Sequence, residues 1–135
     1  MTPAEIALIR GSFNKVRPIS VQAAELFYGR LFEVAPGVRA LFKGDMAEQG
    51  AKLMATIGMV VASLDRLEQV MPAVQDLAKR HVGYGALPAH YAVVGDCLLW
   101  TLGQGLGDQF TPDTKAAWTK AYGVLSGAMI EAAAA

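Results

Sequence analysis

His81 is one of two histidines in a chain of 135 residues. It shares an apolar stripe with Val74, Leu77 and Ala78, at the spacing of one helix face. An unpaired polar group on such a face costs free energy, so the imidazole needs a partner. A histidine of this kind is, by itself, more often a hydrogen-bonded core residue than a ligand. The other use of an imidazole in apolar surroundings is axial ligation of iron. No second histidine follows at i+4 and no Glu-x-x-His pair occurs, which argues against a zinc or di-iron carboxylate site. His90 stands beside Pro88 at a helix start and reads as a solvent-facing or capping group. Tyr28 and Gln49 form a second set. Singly, each is a core-edge residue with its polar tip toward water. Together, with His81 a further 32 residues beyond Gln49, they allow a sharper arrangement. Two donors from different helices could meet on one face of a flat cofactor, with His81 on the other.

The elements that must position these residues are helical throughout. Thr2, Pro3 and Glu5 combine an N-cap, a first-turn proline and a capping box, and predict a helix to about Val16. Ser20 is expected to cap a second helix, with Ala24, Phe27, Leu31 and Val34 on one face and Pro36 ending it. A short helical turn is expected from Val38 to Phe42, then a loop at Lys43, Gly44 and Asp45. Leu53, Ile57, Val60, Val61 and Leu64 mark the next helix, with Gln49 one turn ahead of Leu53. Pro72 is expected in the first turn of the helix that carries His81, with Gly83 and Gly85 at its end. Pro88 opens a helix through Tyr91, Val94 and Leu98, which Gly103, Gly105 and Gly107 are expected to close. Thr111, Pro112 and Asp113 start the last helix, with Trp118, Tyr122, Leu125 and Met129 on one face. No segment alternates like a strand. Six main helices predict an all-α domain spanning residues 1–135, and the periodicity leaves open whether it is a bundle or another helical packing.

Composition narrows the function classes. Lys+Arg and Asp+Glu are 12 each, so no nucleic-acid or polyanion partner is indicated. The apolar stretch Met54–Leu64 is broken by Thr56, Gly58 and Ser63, short of a membrane span. The N-terminus has no secretory pattern. Cys97 is the only cysteine, which excludes an internal disulfide and a Cys-rich zinc site and points to the cytoplasm. Hydrophobic residues make up 53%, above the roughly 45–50% of an average soluble domain, an excess that an apolar pocket would use.

Four segments carry a resemblance. Leu26-Phe27-Tyr28-Gly29-Arg30-Leu31-Phe32, followed by Pro36 and Leu41-Phe42, is similar to the second helix and corner of bacterial haemoglobins. These are the haem domains of flavohaemoglobins and their single-domain relatives, including those of methane-oxidising bacteria. His81, ten residues before Tyr91, and the run Pro88–Gly95 resemble that family's proximal segment. Ala117–Leu125 resembles its last helix.

The resemblance implies a globin fold, the three-on-three helical sandwich, around haem b (iron protoporphyrin IX). Without a C-x-x-C-H motif the haem would be held with no thioether bond. His81 would be the proximal iron ligand, with Tyr28 and Gln49 the distal hydrogen-bonding pair. Leu53 would wall the distal pocket and Phe42 would stack on the porphyrin. Tyr91 would hydrogen-bond near His81 and orient its ring, while Val94, Leu98 and Tyr122 would line the proximal side or haem edge. Lys79 and Arg80 read as solvated surface charges rather than propionate partners. Where flavohaemoglobins place a proximal glutamate, this sequence has Ala133. Glu131, two residues earlier, stands roughly 200° around the helix.

The leading expectation is reversible, high-affinity binding of oxygen, with carbon monoxide and nitric oxide as other ligands. The second is an enzyme, a nitric oxide dioxygenase served by a separate reductase. No flavin or nicotinamide domain is expected in a chain that ends at Ala135. A gas sensor would lack an output domain, and a cofactor-free structural globin would leave His81, Tyr28 and Gln49 without purpose.

Overall fold

The computed structural model describes residues 1–42 and 44–134. Lys43, assigned to a loop, and Ala135, the end of the alanine tail, lie outside the described residues. The described chain runs through α1 (Pro3–Val16), α2 (Ser20–Val34), α3 (Met46–Ala62), α4 (Leu67–Gly83), α5 (Pro88–Leu106) and α6 (Pro112–Ala134). Short 3-10 turns cover Arg17–Ile19, Pro36–Leu41 and Gly107–Gln109. The all-helical expectation holds among the described residues.

Local chemistry explains most boundaries. The Glu5 amide donates to Thr2 Oγ1 and the Thr2 amide donates to Glu5 Oε1, which completes the expected box at α1. The main-chain hydrogen bond from Thr2, helped by Lys120, holds the Glu5 carboxyl down at about 2. Asp45 accepts from the Ala47 amide at the start of α3, and Thr111 accepts from Thr114 at the start of α6. Gly85 has φ +92° at the α4–α5 turn, a backbone state that side chains resist.

Four expectations are corrected. Ser20 is the first residue of α2 rather than its cap, because a 3-10 turn at Arg17–Ile19 leads straight into the helix. Val34 is exposed, since α2 stops beside the corner at Pro36 and its last turn has nothing to cover it. Pro72 lies inside α4, which begins five residues earlier at Leu67. Leu67 packs on the main core and draws that extra turn into the helix. The proline withholds a donor from the Glu68 carbonyl, at a place where both residues are exposed and water can serve it. Gly103 and Gly105 stay within α5, and only Gly107, at φ +56°, caps it.

Packing separates into three clusters. The largest joins Ile9, Phe13 and Val16 of α1 to Val60 and Val61 of α3, Leu102 of α5 and Trp118 of α6. The Trp118 indole N–H donates to Ser12 Oγ at 2.8 Å, so its buried polar edge is satisfied. Arg10 reaches from α1 to the end of α3, donating to the carbonyls of Val61 and Ala62 and to the Asp65 carboxylate. The second cluster centres on Phe27, Tyr28 and Leu31 of α2 with Val38 and Cys97. The third is small: Val74 and Ala78 of α4 against Met129 of α6. Among the described residues, α4 packs extensively only on α6, whereas α3 packs on α2 and α1.

Candidate functional site

His81 sits near the end of α4, half-buried. Its Nδ1 lies 2.8 Å from the Leu77 carbonyl oxygen, one turn back. A carbonyl can only accept, so Nδ1 carries the proton and Nε2 of the neutral ring keeps its lone pair. The contact therefore sets the tautomer and reserves Nε2 as a ligand atom. The expected role of Tyr91 in orienting the ring is corrected accordingly. The Leu77 carbonyl holds Nδ1, while the Tyr91 ring stacks against His81 with centroids 6.5 Å apart. Tyr84 adds a second ring at 5.7 Å.

Tyr91 is itself held from α6. The Tyr122 hydroxyl donates to the Tyr91 main-chain oxygen at 2.6 Å. Gly95 makes this possible, since a Cβ there would stand 2.6 Å from Tyr122 Cε2. Burial pushes both phenols above their ordinary range, Tyr122 the further. Glu131 is exposed near the end of α6, and Lys79 and Arg80 are exposed on α4.

Tyr28 is only 8% exposed. Its hydroxyl donates to the main-chain oxygen of Gln49 at 3.4 Å, so the fold brings α2 and α3 together at these two residues. Burial pushes the Tyr28 phenol up to about 12, and it stays a donor across the physiological range. Phe27, Phe32 and Phe42 place their rings 5.1, 5.9 and 5.2 Å from it. Half-buried Phe42, Leu53, Val94 and Leu98 all pack against this cluster. His90 accepts at Nδ1 from the Leu87 amide and closes the first turn of α5, the capping role anticipated for it.

Some contributors had no signal in the residue pattern. The Leu77 carbonyl belongs to the main chain and has no side-chain signature. Met46 packs against the Tyr28 cluster from the first turn of α3. Val82, Tyr84 and Leu87 are more than half exposed around the turn that follows His81. That run of apolar residues beside a ligand-type histidine was the available clue.

The donor set suits a planar iron cofactor. Among the described residues no three His, Cys, Asp or Glu side chains gather to hold a metal ion. A metal on His81 Nε2 must therefore bring most of its own ligands, as porphyrin iron does. The surroundings are aromatic and aliphatic, with a buried hydroxyl donor in Tyr28. Cavities of about 340 Å³ beside Tyr122 and about 490 Å³ beside Phe13 involve neither His81 nor Tyr28.

Comparison with known proteins agrees. The globin family model matches residues 25–129. A flavohemoprotein of Rhodopirellula baltica is 36% identical over 120 residues, covering 84% of this chain and 29% of that protein. The chain thus spans less than a third of such relatives. An engineered carbene transferase from Rhodothermus marinus, provisionally assigned as a nitric oxide dioxygenase, superposes with a TM-score of 0.89 at 25% identity. That match covers 99% of this chain and 94% of the other. A bacterial globin of Campylobacter jejuni superposes with a TM-score of 0.85 at 26% identity, covering 98% and 96%.

Proposed function

The chain belongs to the globin family, and from that premise we propose that it binds oxygen reversibly and tightly at a haem b held by His81. One observation carries this reading: a histidine whose Nδ1 is committed to Leu77 occurs with a buried tyrosine hydroxyl held against α3. Haem bound there supplies a ferrous iron with one open position for a diatomic gas. His81 Nε2 would hold the iron, and Phe42, Leu53, Tyr91, Val94, Leu98 and Tyr122 would flank the ring. Tyr28 and Gln49 would donate hydrogen bonds to the gas. Oxygen draws negative charge when it binds and carbon monoxide draws little, so the donors favour oxygen. A hydrogen bond to a charged acceptor is worth roughly 1.5–3 kcal/mol. That is on the order of 10- to 100-fold in affinity, expressed mainly as slower release. The domain is read as residues 1–135, and the lone, buried Cys97 supports a cytoplasmic setting.

The test is stopped-flow gas release from the haem-loaded ferrous protein. Tyr28→Phe is expected to speed oxygen release on the order of 10- to 100-fold and to leave carbon monoxide release nearly unchanged. Equal acceleration of both gases rejects the reading.

A second reading is a nitric oxide dioxygenase with a separate reductase. The flavohemoprotein relatives and the Rhodothermus marinus neighbour support it. Ala133, where the resemblance calls for a proximal glutamate, weighs against it. Rapid, sustained nitrate production with an added reductase would promote this reading over the first.

A further inference from the structure

Gly50 of α3 is buried where that helix crosses α2. A Cβ on Gly50 would stand 2.9 Å from the Ala24 Cβ. Carbon atoms rest at about 3.5–4.0 Å, and an alanine Cβ has no torsion by which to move aside. Any side chain at position 50 must therefore push the helices apart. The two candidate donors flank this contact. Gln49 directly precedes Gly50, and Tyr28 lies one turn beyond Ala24 on the same face of α2. The Tyr28 hydroxyl already meets the Gln49 oxygen at 3.4 Å, the long end of hydrogen bonding.

We propose that Gly50 is a positioning residue whose missing side chain sets the α2–α3 spacing at which Tyr28 and Gln49 can both reach one bound gas. Gly50 thereby tunes oxygen affinity without touching the ligand. The inference rests on the reading of Tyr28 and Gln49 as donors to the gas. A glycine inside a helix carries an entropic cost relative to alanine, and the close crossing gives that cost a purpose.

The haem-loaded Gly50→Ala protein tests it. Oxygen release is expected to rise about tenfold, the loss of about 1.4 kcal/mol, with carbon monoxide release nearly unchanged. A crystal structure of the variant should show the Tyr28 Oη to Gln49 oxygen separation opened beyond about 3.6 Å. Ala24→Gly removes the struck atom, so the double variant Ala24→Gly/Gly50→Ala should return release toward the parent value. If Gly50→Ala does not accumulate, Ala24→Ser thickens the same contact from the other helix and should act in the same direction, more weakly. Oxygen release that stays at the parent value, or rises in step with carbon monoxide release, overturns the proposal. With a normal Tyr28→Phe effect, such a result removes Gly50 alone. If Tyr28→Phe also leaves oxygen release unchanged, the donor reading itself falls, and this proposal with it.

Discussion

Tyr28 and His81 are held in opposite styles. Tyr28 is enclosed by three aromatic rings and lies on a helix that packs against both α3 and α5. His81 rides on a helix that packs extensively on α6 alone, over a core of Val74, Ala78 and Met129. Its ring is steadied by one main-chain acceptor on its own helix. The Tyr28 side is thus built by the protein before any cofactor arrives. The His81 side has fewer contacts and would draw more of its order from the cofactor. The difference teaches a division of labour: the Tyr28 side controls which gas stays, and the His81 side controls whether the cofactor stays.

The largest effect that could break this comparison is at His81 itself. His81→Ala is expected to lose haem, or the five-coordinate histidine spectrum, with that spectrum regained when imidazole is added to the buffer. An unaltered spectrum would show that another residue holds the iron. Next comes Gly95→Ala, whose Cβ would strike the Tyr122 ring and lift the Tyr122 hydroxyl from the Tyr91 oxygen. Overpacking of this kind costs about 1–3 kcal/mol, measurable by denaturant unfolding. The ratio of oxygen to carbon monoxide release should barely move; a large change in it would dissolve the division between the two sides. The smallest effect is a null one. Because burial holds the Tyr28 phenol neutral up to about 12, oxygen release should stay flat from pH 7 to 10. A rise by pH 9 would contradict that. Stability follows the same sign. An unfolded tyrosine ionises near pH 10, so above that pH the unfolded chain binds fewer protons than the folded one. The Tyr28 contribution is complete below pH 10 and is lost as pH climbs toward 12.

All six helices were visible in the sequence, because Thr2, Pro36, Pro88 and Thr111-Pro112 announce their ends and the apolar periods fill their faces. The chemistry-bearing side chains were visible too, since His81, Tyr28 and Gln49 are polar residues on apolar stripes. What stayed hidden depends on tertiary neighbours or on the main chain. Ser20 has the right type for a cap, yet the preceding turn overrides it. Pro72 looked like a helix start because no local rule shows that Leu67 would find a place in the core. The acceptor for His81 is a carbonyl, which every residue carries. The close approach of Gly50 and Ala24 is a property of two helices crossing, and small residues advertise nothing about what they touch.

The Arg10 clamp on α3 has a consequence for how the sequence can drift. Two of its three acceptors are the carbonyls of Val61 and Ala62, which persist whatever side chains stand at those positions. The end of α3 is therefore free to change its identity while keeping its place. The constraint has moved to a residue 51 positions away in the chain. There a guanidinium fork cannot be exchanged for the single ammonium of lysine without losing part of the grip.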